Sequence, residues 1–357
     1  MSRPRRTRTT IQDVAKRAGV AKTTVSHAIS GKRPVAPETR ERIFAAMRDL
    51  SFRPNPVARR LAGGAGGAVA MVYPLASPSL SAVELRFINS IAEVVNRSDY
   101  MFMNFSSPHV EIGQLNQIVH SGLVDGIILM RINMSDARVE LLKREGVPFV
   151  MIGRMADNQD LSYVDLDAGA AIDVAVDHLA RLGHRTIAFV HPDDLDFGFG
   201  YRLVEGHRRA CERRGLPVLT EPASLSDEAG YHAVLTLLRR HAGVTAVIVW
   251  SDAVTFGVIR ALQEHGRRIP DDVSLISFDR SDQLRLISSE LTIVDTRAEE
   301  VGARAAHMLL DILEGRAPDR RQVLVAPQLV VGQSTGQSSP TGNGAAATPA
   351  NVPTERR

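Results

Sequence analysis

Short apolar segments alternate with helical stretches between residues 68 and 314, and this alternation restricts the fold more than any other feature. The apolar segments have the length of buried strands, and a stretch of helical periodicity follows each of them. Strands are predicted at 68–74, 100–105, 126–130, 149–152, 186–191, 244–250, 274–278 and 291–294. Helices are predicted at 81–97, 110–121, 137–145, 169–182, 201–214, 228–240, 254–265 and 298–314. Such alternation indicates parallel sheets covered by helices, here long enough for two α/β units whose strand ends face a common cleft.

The N-terminal segment differs from this body in charge. Residues 1–62 contain 15 Lys and Arg against 4 Asp and Glu, whereas residues 63–357 contain 28 against 36. A basic segment on an acidic body indicates contact with a polyanion such as nucleic acid, although a solvated basic tail would give the same balance. The glycine-rich residues 63–67 have the composition of a flexible linker, so residues 1–62 are predicted to form a separate domain.

Two short helices joined by a glycine-containing turn are predicted in this domain. Apolar residues recur at helical spacing from Ile11 to Ala18, Thr10 is placed to cap the helix, and Gly19 follows its last turn. A second helix is predicted over residues 22–29, which completes a helix-turn-helix. In that motif the second helix enters the major groove of DNA, whereas the alternative is a solvated helix face. The outward-facing polar residues on it are Lys22, Thr23, Ser26 and His27.

Two further helices complete the domain. Pro37 fits the first turn of a helix that continues to Leu50, and Asn55 is placed to cap a short helix that ends near Ala62. The region resembles the headpiece of the LacI/GalR family of bacterial transcription regulators. The matching elements are Ile11-x-Asp13-Val14-Ala15, Ala18-Gly19-Val20, Thr24-Val25-Ser26, Thr39-Arg40 and Pro54-Asn55-x-x-Ala58-Arg59-x-Leu61.

The resemblance implies that residues 55–62 are a hinge helix that orders on DNA, with Leu61 wedged into the minor groove. It also implies DNA contacts for Thr39, Asn55, Ala58 and Arg59, and a homodimer on a near-palindromic operator. Ala21 and Ala36 depart from the family, because serines usually stand at these positions.

The body carries further motifs of the same family in the same order. They are Asp125-Gly126-Ile127-Ile128, His178-Leu179-x-x-Leu182-Gly183-His184-Arg185, Ile269-Pro270-x-Asp272-Val273-Ser274 and Pro327-x-Leu329-Val330. This part resembles a periplasmic sugar-binding protein, so the resemblance implies an effector-binding and dimerisation domain over residues 68–333. Its effector would be a sugar or sugar derivative, or alternatively a nucleobase. Residues 334–357 are rich in Ser, Thr, Gly, Ala and Pro and are predicted to be a disordered tail.

Polar residues directly after predicted strands are the candidates for the cleft, because ligands of parallel sheets bind at the carboxyl ends of strands. Carboxylates accept hydrogen bonds from sugar hydroxyls, arginine donates them, and Trp250 or Phe197 could stack on a sugar ring. Asp167 and Asp252 would equally serve as helix caps, and Trp250 would equally belong to the core. The resemblance adds Arg202, one position out of register, and assigns an effector contact to Asp279. The full candidate set is Arg154, Asp167, Arg202, Trp250, Ser251, Asp252 and Asp279.

The predicted fold class is therefore α/β, with a small all-α helix-turn-helix headpiece and a two-subdomain, periplasmic-binding-protein-like body of parallel sheets. No catalytic or metal-binding motif is recognised, so we expect neither an enzyme nor a cofactor or metal site. One cysteine, no recognisable signal peptide and no long apolar run favour a cytoplasmic, nucleoid-associated protein without a membrane partner. The predicted function is that of a transcriptional repressor controlled by a small molecule. The alternatives are an architectural DNA-binding protein with a non-responsive sensor domain and a transport-associated sugar receptor.

Overall fold

The computed structural model describes residues 10–30, 33–50, 52, 67–75, 81–107, 112–279 and 290–338. Within these residues the helices are α1 (Ile11–Ala18), α2 (Lys22–Ser30), α3 (Pro37–Asp49), α4 (Ala82–Asn96), α5 (Ile112–His120), α6 (Ala137–Glu145), α7 (Ala168–Arg181), α8 (Gly198–Arg213), α9 (Asp227–Arg240), α10 (Asp252–Glu264) and α11 (Ala298–Leu313). The strands are β1 (Ala68–Pro74), β2 (Met101–Ser107), β3 (Gly126–Met130), β4 (Phe149–Ile152), β5 (Tyr163–Leu166), β6 (Ile187–Pro192), β7 (Leu219–Ala223), β8 (Ala246–Val249), β9 (Ser274–Phe278), β10 (Thr292–Asp295), β11 (Gln322–Val325) and β12 (Gln328–Val330).

The headpiece helices follow from local signals. At the start of α1 the Asp13 carboxylate accepts the Thr10 N–H at 2.8 Å, and the Thr10 hydroxyl accepts the Asp13 N–H at 3.4 Å. Gly19 ends α1 with φ of 68°, a left-handed conformation that favours glycine. Val25 of α2 and Ile43 of α3 are fully buried beside α1. Burial of these apolar faces leaves the first turn of α2 exposed to solvent.

The body consists of two α/β subdomains, as predicted. Among the described residues, the sheet of the N-terminal subdomain has the strand order β11-β5-β4-β3-β1-β2, and all its pairings are parallel. Alternate residues of β1 explain why helices cover both faces. Val69 and Met71 pack with α4 and α11, whereas Ala70 and Val72 pack with α5 and α6.

The C-terminal subdomain repeats this architecture. Its sheet has the order β12-β10-β9-β8-β6-β7 in the described part of the chain, and β12 pairs antiparallel with β10 at one edge. Helices α7 to α10 cover the sheet and share one hydrophobic core with it. The chain passes between the subdomains after β5, after β10 and between β11 and β12. Residues that directly follow β3, β4, β8 and β9 line one cavity, so the carboxyl ends of both sheets border one cleft.

Two details differ from the sequence predictions. Strands β5, β7, β11 and β12 are absent from the predicted set. β7, β11 and β12 lie at sheet edges and have partly exposed residues instead of a continuous apolar run. β5 is buried, but it has only four residues and Asp165 interrupts its apolar run. The tail boundary at Ser334 is wrong, because Ser334 is buried and donates to the Leu275 carbonyl at 2.6 Å. Gly336 likewise donates to Ser274 at 3.0 Å, so residues 334–338 belong to the C-terminal subdomain. The predicted hinge helix, residues 63–66 of the linker and residues 339–357 lie outside the described residues.

Candidate functional site

A cavity of about 140 Å³ lies in the cleft between the two subdomains. The residues that line it come from both sides, and many of them directly follow a strand. Those of the N-terminal subdomain include Glu84, Phe87, Met130, Arg131, Ile152, Gly153 and Asp165. Those of the C-terminal subdomain include Phe197, Phe199, Trp250, Ser251, Asp252, Phe278, Asp279 and Thr296. Apolar and aromatic walls with a few polar groups are typical of a small-molecule site.

Asp279 stands at the end of β9, in the cavity wall predicted for it. Its Oδ1 accepts the backbone N–H of Thr296 at 3.1 Å, and Thr296 Oγ1 lies 2.9 Å from Oδ1 and 2.7 Å from Oδ2. Arg86 Nη1 donates to the same Oδ1 at 3.1 Å. Burial raises the pKa of the Asp279 carboxyl to about 6, although Arg86 and Thr296 both act to lower it.

Arg86 of α4 connects the two subdomains. Besides Asp279, its guanidinium donates to Asp295 at 3.1 Å and to both oxygens of Glu299 at 2.7 and 2.8 Å. Asp279 and Asp295 belong to the C-terminal subdomain, whereas Glu299 lies on α11 of the N-terminal subdomain. We call this group of four residues the Arg86 cluster. It joins the walls of the cleft beside the cavity, which Asp279 lines.

Asp165 is a second buried carboxylate in the cavity wall, and it was not predicted. Its Oδ2 lies 3.2 Å from Arg154 Nε. Burial raises the pKa of the Asp165 carboxyl to about 6, and the charges of Arg154 and Arg202 oppose the shift. Asp165 lies within β5 instead of after it, so a search for polar residues beyond strand ends could not find it.

Three adjacent predicted residues, Trp250, Ser251 and Asp252, line the cavity where β8 passes into α10. Ser251 is the N-cap of α10, and its hydroxyl accepts the Ala253 N–H at 3.2 Å. The Asp252 carboxylate accepts the same N–H at 2.8 Å. Trp250 donates its indole N–H to the Ala223 carbonyl at 3.2 Å and is 9% exposed. These residues combine a capping or core role with a position in the cavity wall.

The other three predicted cleft residues are not among those that line the cavity. Asp167 caps α7 by accepting the Ala170 N–H at 3.0 Å. Arg154 is turned toward Asp165. Arg202 of α8 donates across the cleft to the backbone carbonyls of Arg154 at 2.9 Å and Met155 at 2.5 Å. Arg202 therefore links the two subdomains beside the cavity without lining it.

Arg131 and Phe197 form a contact that spans the cavity. The Arg131 guanidinium lies 4.6 Å from the centre of the Phe197 ring. Burial lowers the pKa of Arg131, and the nearby charges of Glu84 and Asp194 oppose the shift. Arg131 has φ of 56°, a left-handed conformation that is uncommon for a residue other than glycine. Arg131 follows β3 directly, and this position after a strand is the sequence signal that could have identified it as a cavity residue.

The headpiece presents its predicted DNA-contacting side chains unevenly. Lys22 and Thr23 are exposed in the first turn of α2, whereas Ser26, His27 and Thr39 are half-buried. An exposed first turn on the second helix matches the geometry by which a helix-turn-helix meets base edges. The remaining predicted DNA contacts, Asn55, Ala58, Arg59 and Leu61, lie outside the described residues.

Comparison with known proteins agrees with both halves of the structure. Residues 10–55 match the family of bacterial regulatory proteins of the lacI type, and residues 176–335 match the periplasmic binding protein-like domain. The HTH-type transcriptional regulator AglR of Rhizobium meliloti (strain 1021) is 32% identical over 338 residues, which cover 91% of this chain and 94% of that protein.

Two solved structures show the same fold. The lac repressor dimer bound to operator and an anti-inducer has a TM-score of 0.80 at 23% identity, covering 92% of this chain and 99% of that one. The complex of the transcriptional regulator CelR with cellobiose has a TM-score of 0.66 at 24% identity, covering 92% and 100%. No helix in the described part of this chain is long and apolar enough to cross a membrane. The chain belongs to the LacI family of bacterial regulatory proteins and is a DNA-binding transcriptional regulator.

Proposed function

We propose that this regulator is a repressor that binds a near-palindromic operator as a homodimer and changes its operator affinity when a sugar or sugar derivative occupies the cleft. The observation that carries this proposal is the joining, in one chain, of a helix-turn-helix whose second helix has an exposed first turn to a cavity between two subdomains. The protein acts by binding alone, without catalysis. Its place of action is the cytoplasm, on the nucleoid.

The charge and exposure of the headpiece support DNA binding. The excess of basic residues over residues 1–62 supplies the attraction to phosphate that most DNA-binding domains need. Lys22 and Thr23 supply donors that can reach base edges from the start of α2. In this proposal residues 55–62 are the hinge, and Leu61 opens the operator centre from the minor groove.

The contacts across the cleft support a two-state mechanism. The Arg86 cluster and Arg202 link the subdomains through two separate sets of contacts, so the cleft has a defined closed form. A ligand in the cavity shifts the balance between closed and open forms only if it binds one form more tightly. The CelR–cellobiose complex supports a sugar as the ligand, since a protein of the same fold binds one.

Genome-wide binding of the full-length protein, measured by immunoprecipitation and sequencing, tests this function. We expect a few sharp peaks over near-palindromic sites beside sugar transport or hydrolase genes. Lys22→Ala should weaken binding at these sites by roughly tenfold, because one base-directed contact contributes about 1–3 kcal/mol. Lys143→Ala is the matched control, since Lys143 is an exposed lysine of the body. Hundreds of weak peaks without a palindrome would instead indicate an architectural protein with a non-responsive sensor domain.

A further inference from the structure

Glu84, a carboxylate in the cavity wall, has one oxygen without a hydrogen-bond partner among the described residues. Glu84 lies in the first turn of α4, is 4% exposed and lines the cavity. Its Oε2 accepts the Ser81 N–H at 2.8 Å and the Ser81 hydroxyl at 3.0 Å, which fixes the side chain in a capping box. Its Oε1 is shielded from solvent, and no donor in the described part of the chain reaches it.

Buried carboxylate oxygens are usually hydrogen-bonded, because the bonds they make with water are lost on burial. Glu84 Oε1, which is fixed beside the cavity, is therefore available to accept a hydrogen bond from a ligand. The capping box matters here because Ser81 holds the carboxylate in place without using Oε1. Glu84 can thus accept a bond from a ligand without giving up its structural role.

The other carboxylates in the cavity wall are already engaged. Both oxygens of Asp279 accept bonds from Thr296, and Oδ1 also accepts one from Arg86. Asp165 faces Arg154, and Asp252 accepts an N–H at the start of α10. The position that sequence reasoning favoured, Asp279, is therefore occupied by the protein's own groups, whereas Glu84 is not.

The wall also limits the charge and shape of a ligand. Its described residues contain four carboxylates, those of Glu84, Asp165, Asp252 and Asp279, and one guanidinium, that of Arg131. Arg154 and Arg86 are already paired with Asp165 and Asp279, so among the described lining residues only Arg131 can face an anionic group, whereas Glu84 and Asp252 would repel it. The rings of Phe87, Phe197, Phe199, Trp250 and Phe278 provide flat apolar surfaces.

We propose that Glu84 Oε1 is the acceptor that recognises the effector, receiving a hydroxyl or ammonium donor from an uncharged or cationic sugar ring. This inference rests on the proposed function, since it names the ligand class of the same cavity. It predicts that sugar phosphates bind more weakly than the corresponding neutral sugars. It also moves the main polar contact of the site from the C-terminal subdomain to the N-terminal one.

Isothermal titration calorimetry of the full-length protein tests the inference with four probes: glucose, cellobiose, glucosamine and glucose 6-phosphate. Glu84→Gln is the test variant, because the glutamine amide oxygen can keep both Ser81 bonds while the amide nitrogen replaces the free acceptor. Glu93→Gln is the matched control, since Glu93 lies on the same helix but is paired with Arg97 at the surface. Equal melting temperatures of the two variants would show that the fold is retained.

We expect at least one of the first three probes to bind the wild type and Glu93→Gln, and Glu84→Gln to bind it at least tenfold more weakly. Preference for glucose or cellobiose identifies a hydroxyl donor, and preference for glucosamine an ammonium. Tighter binding of glucose 6-phosphate than of glucose, unchanged affinity in Glu84→Gln, or no binding by any of the first three probes would overturn the inference. Binding of DNA by the same preparations is measured as well. Retained DNA binding together with an overturning calorimetric result means that the inference about Glu84 fails, whereas loss of specific DNA binding means that the proposed function fails.

Discussion

The Arg86→Met substitution should loosen the cleft without disturbing either subdomain core. Methionine keeps the apolar stem of the side chain but removes the guanidinium that faces three carboxylates. Two of these carboxylates, Asp279 and Asp295, lie on the opposite side of the cleft from Arg86. Loss of the guanidinium therefore destabilises the closed form of the cleft. Asp279 suffers most, because it is buried and would be left without its counter-charge.

The size of the effect follows from the burial of the pair. Removal of one partner from a fully buried ion pair costs about 3–5 kcal/mol. The Arg86 side chain is 25% exposed, so solvent screening reduces this cost, and we take roughly 2 kcal/mol for closure. A change of this size shifts the equilibrium between closed and open forms roughly 30-fold toward the open form.

Hydrogen exchange at amides that bond across the cleft measures this shift. The Met134 amide donates to the Asp196 carbonyl at 2.7 Å, and the Gly198 amide donates to the Ile132 carbonyl at 2.9 Å. Both amides should exchange up to roughly 30-fold faster in Arg86→Met, because each opening of the cleft exposes them. Arg97→Met is the control, since Arg97 pairs only with Glu93 on its own helix among the described residues. Exchange rates within twofold of the wild type at both amides would refute the role of the Arg86 cluster.

Three further predictions concern other parts of the chain. Leu61→Gly should weaken operator binding at least tenfold more than binding to random DNA, because only at a specific site does Leu61 wedge the minor groove open. Fluorescence anisotropy measures both affinities. Equal losses would show that Leu61 is not a wedge. The raised pKa of the Asp279 carboxyl, about 6, means that the folded protein holds a proton that the unfolded chain releases near pH 3.8. The free energy of unfolding from urea titrations should therefore fall as pH rises from about 4 to 6. This fall should be roughly 2 kcal/mol larger in the wild type than in Asp279→Asn. Parallel pH dependences of the unfolding free energy in the two proteins would contradict this. Gly257→Ala should lower the free energy of unfolding in urea by about 3 kcal/mol, because a Cβ there would lie 1.7 Å from the Asp227 carbonyl oxygen. Gly243→Ala is the control, since a Cβ at Gly243 would meet open space. Equal losses in the two variants would refute the close packing of α9 and α10.

Much of the fold could be predicted because its signals are local. The capping pair Thr10 and Asp13, the glycine at position 19 and the proline at position 37 fix the headpiece helices within one or two residues. Most of the buried parallel strands are continuous apolar runs, so their positions could be predicted. β5 is the exception, because Asp165 interrupts its apolar run. The prediction of a flexible tail is wrong for residues 334–338, because their composition is that of a tail whereas their order comes from hydrogen bonds to the distant residues Ser274 and Leu275.

Residues of the cavity wall could be predicted only where they directly follow a strand. Trp250, Ser251, Asp252 and Asp279 follow strands, so their place in the wall could be inferred from sequence order. Other groups depend on tertiary packing, and a single sequence carries no signal for it. Glu84 and Arg86 lie on a helix whose orientation across the cleft is set by α11, and the pattern of α4 does not show which of its turns reaches the other subdomain.

The affinity of the full-length protein for DNA, compared between wild type and Arg86→Met without added ligand, tests the central claim most directly. The claim is that the state of the cleft controls specific DNA binding. The wild type should bind its genomic site at least a hundredfold more tightly than a scrambled fragment of equal length, as expected of a sequence-specific regulator. Arg86→Met should change the Kd for the genomic site by roughly tenfold or more and leave the Kd for the scrambled fragment unchanged. Equal affinity for both fragments, or a genomic Kd that does not respond to the substitution, would contradict the account.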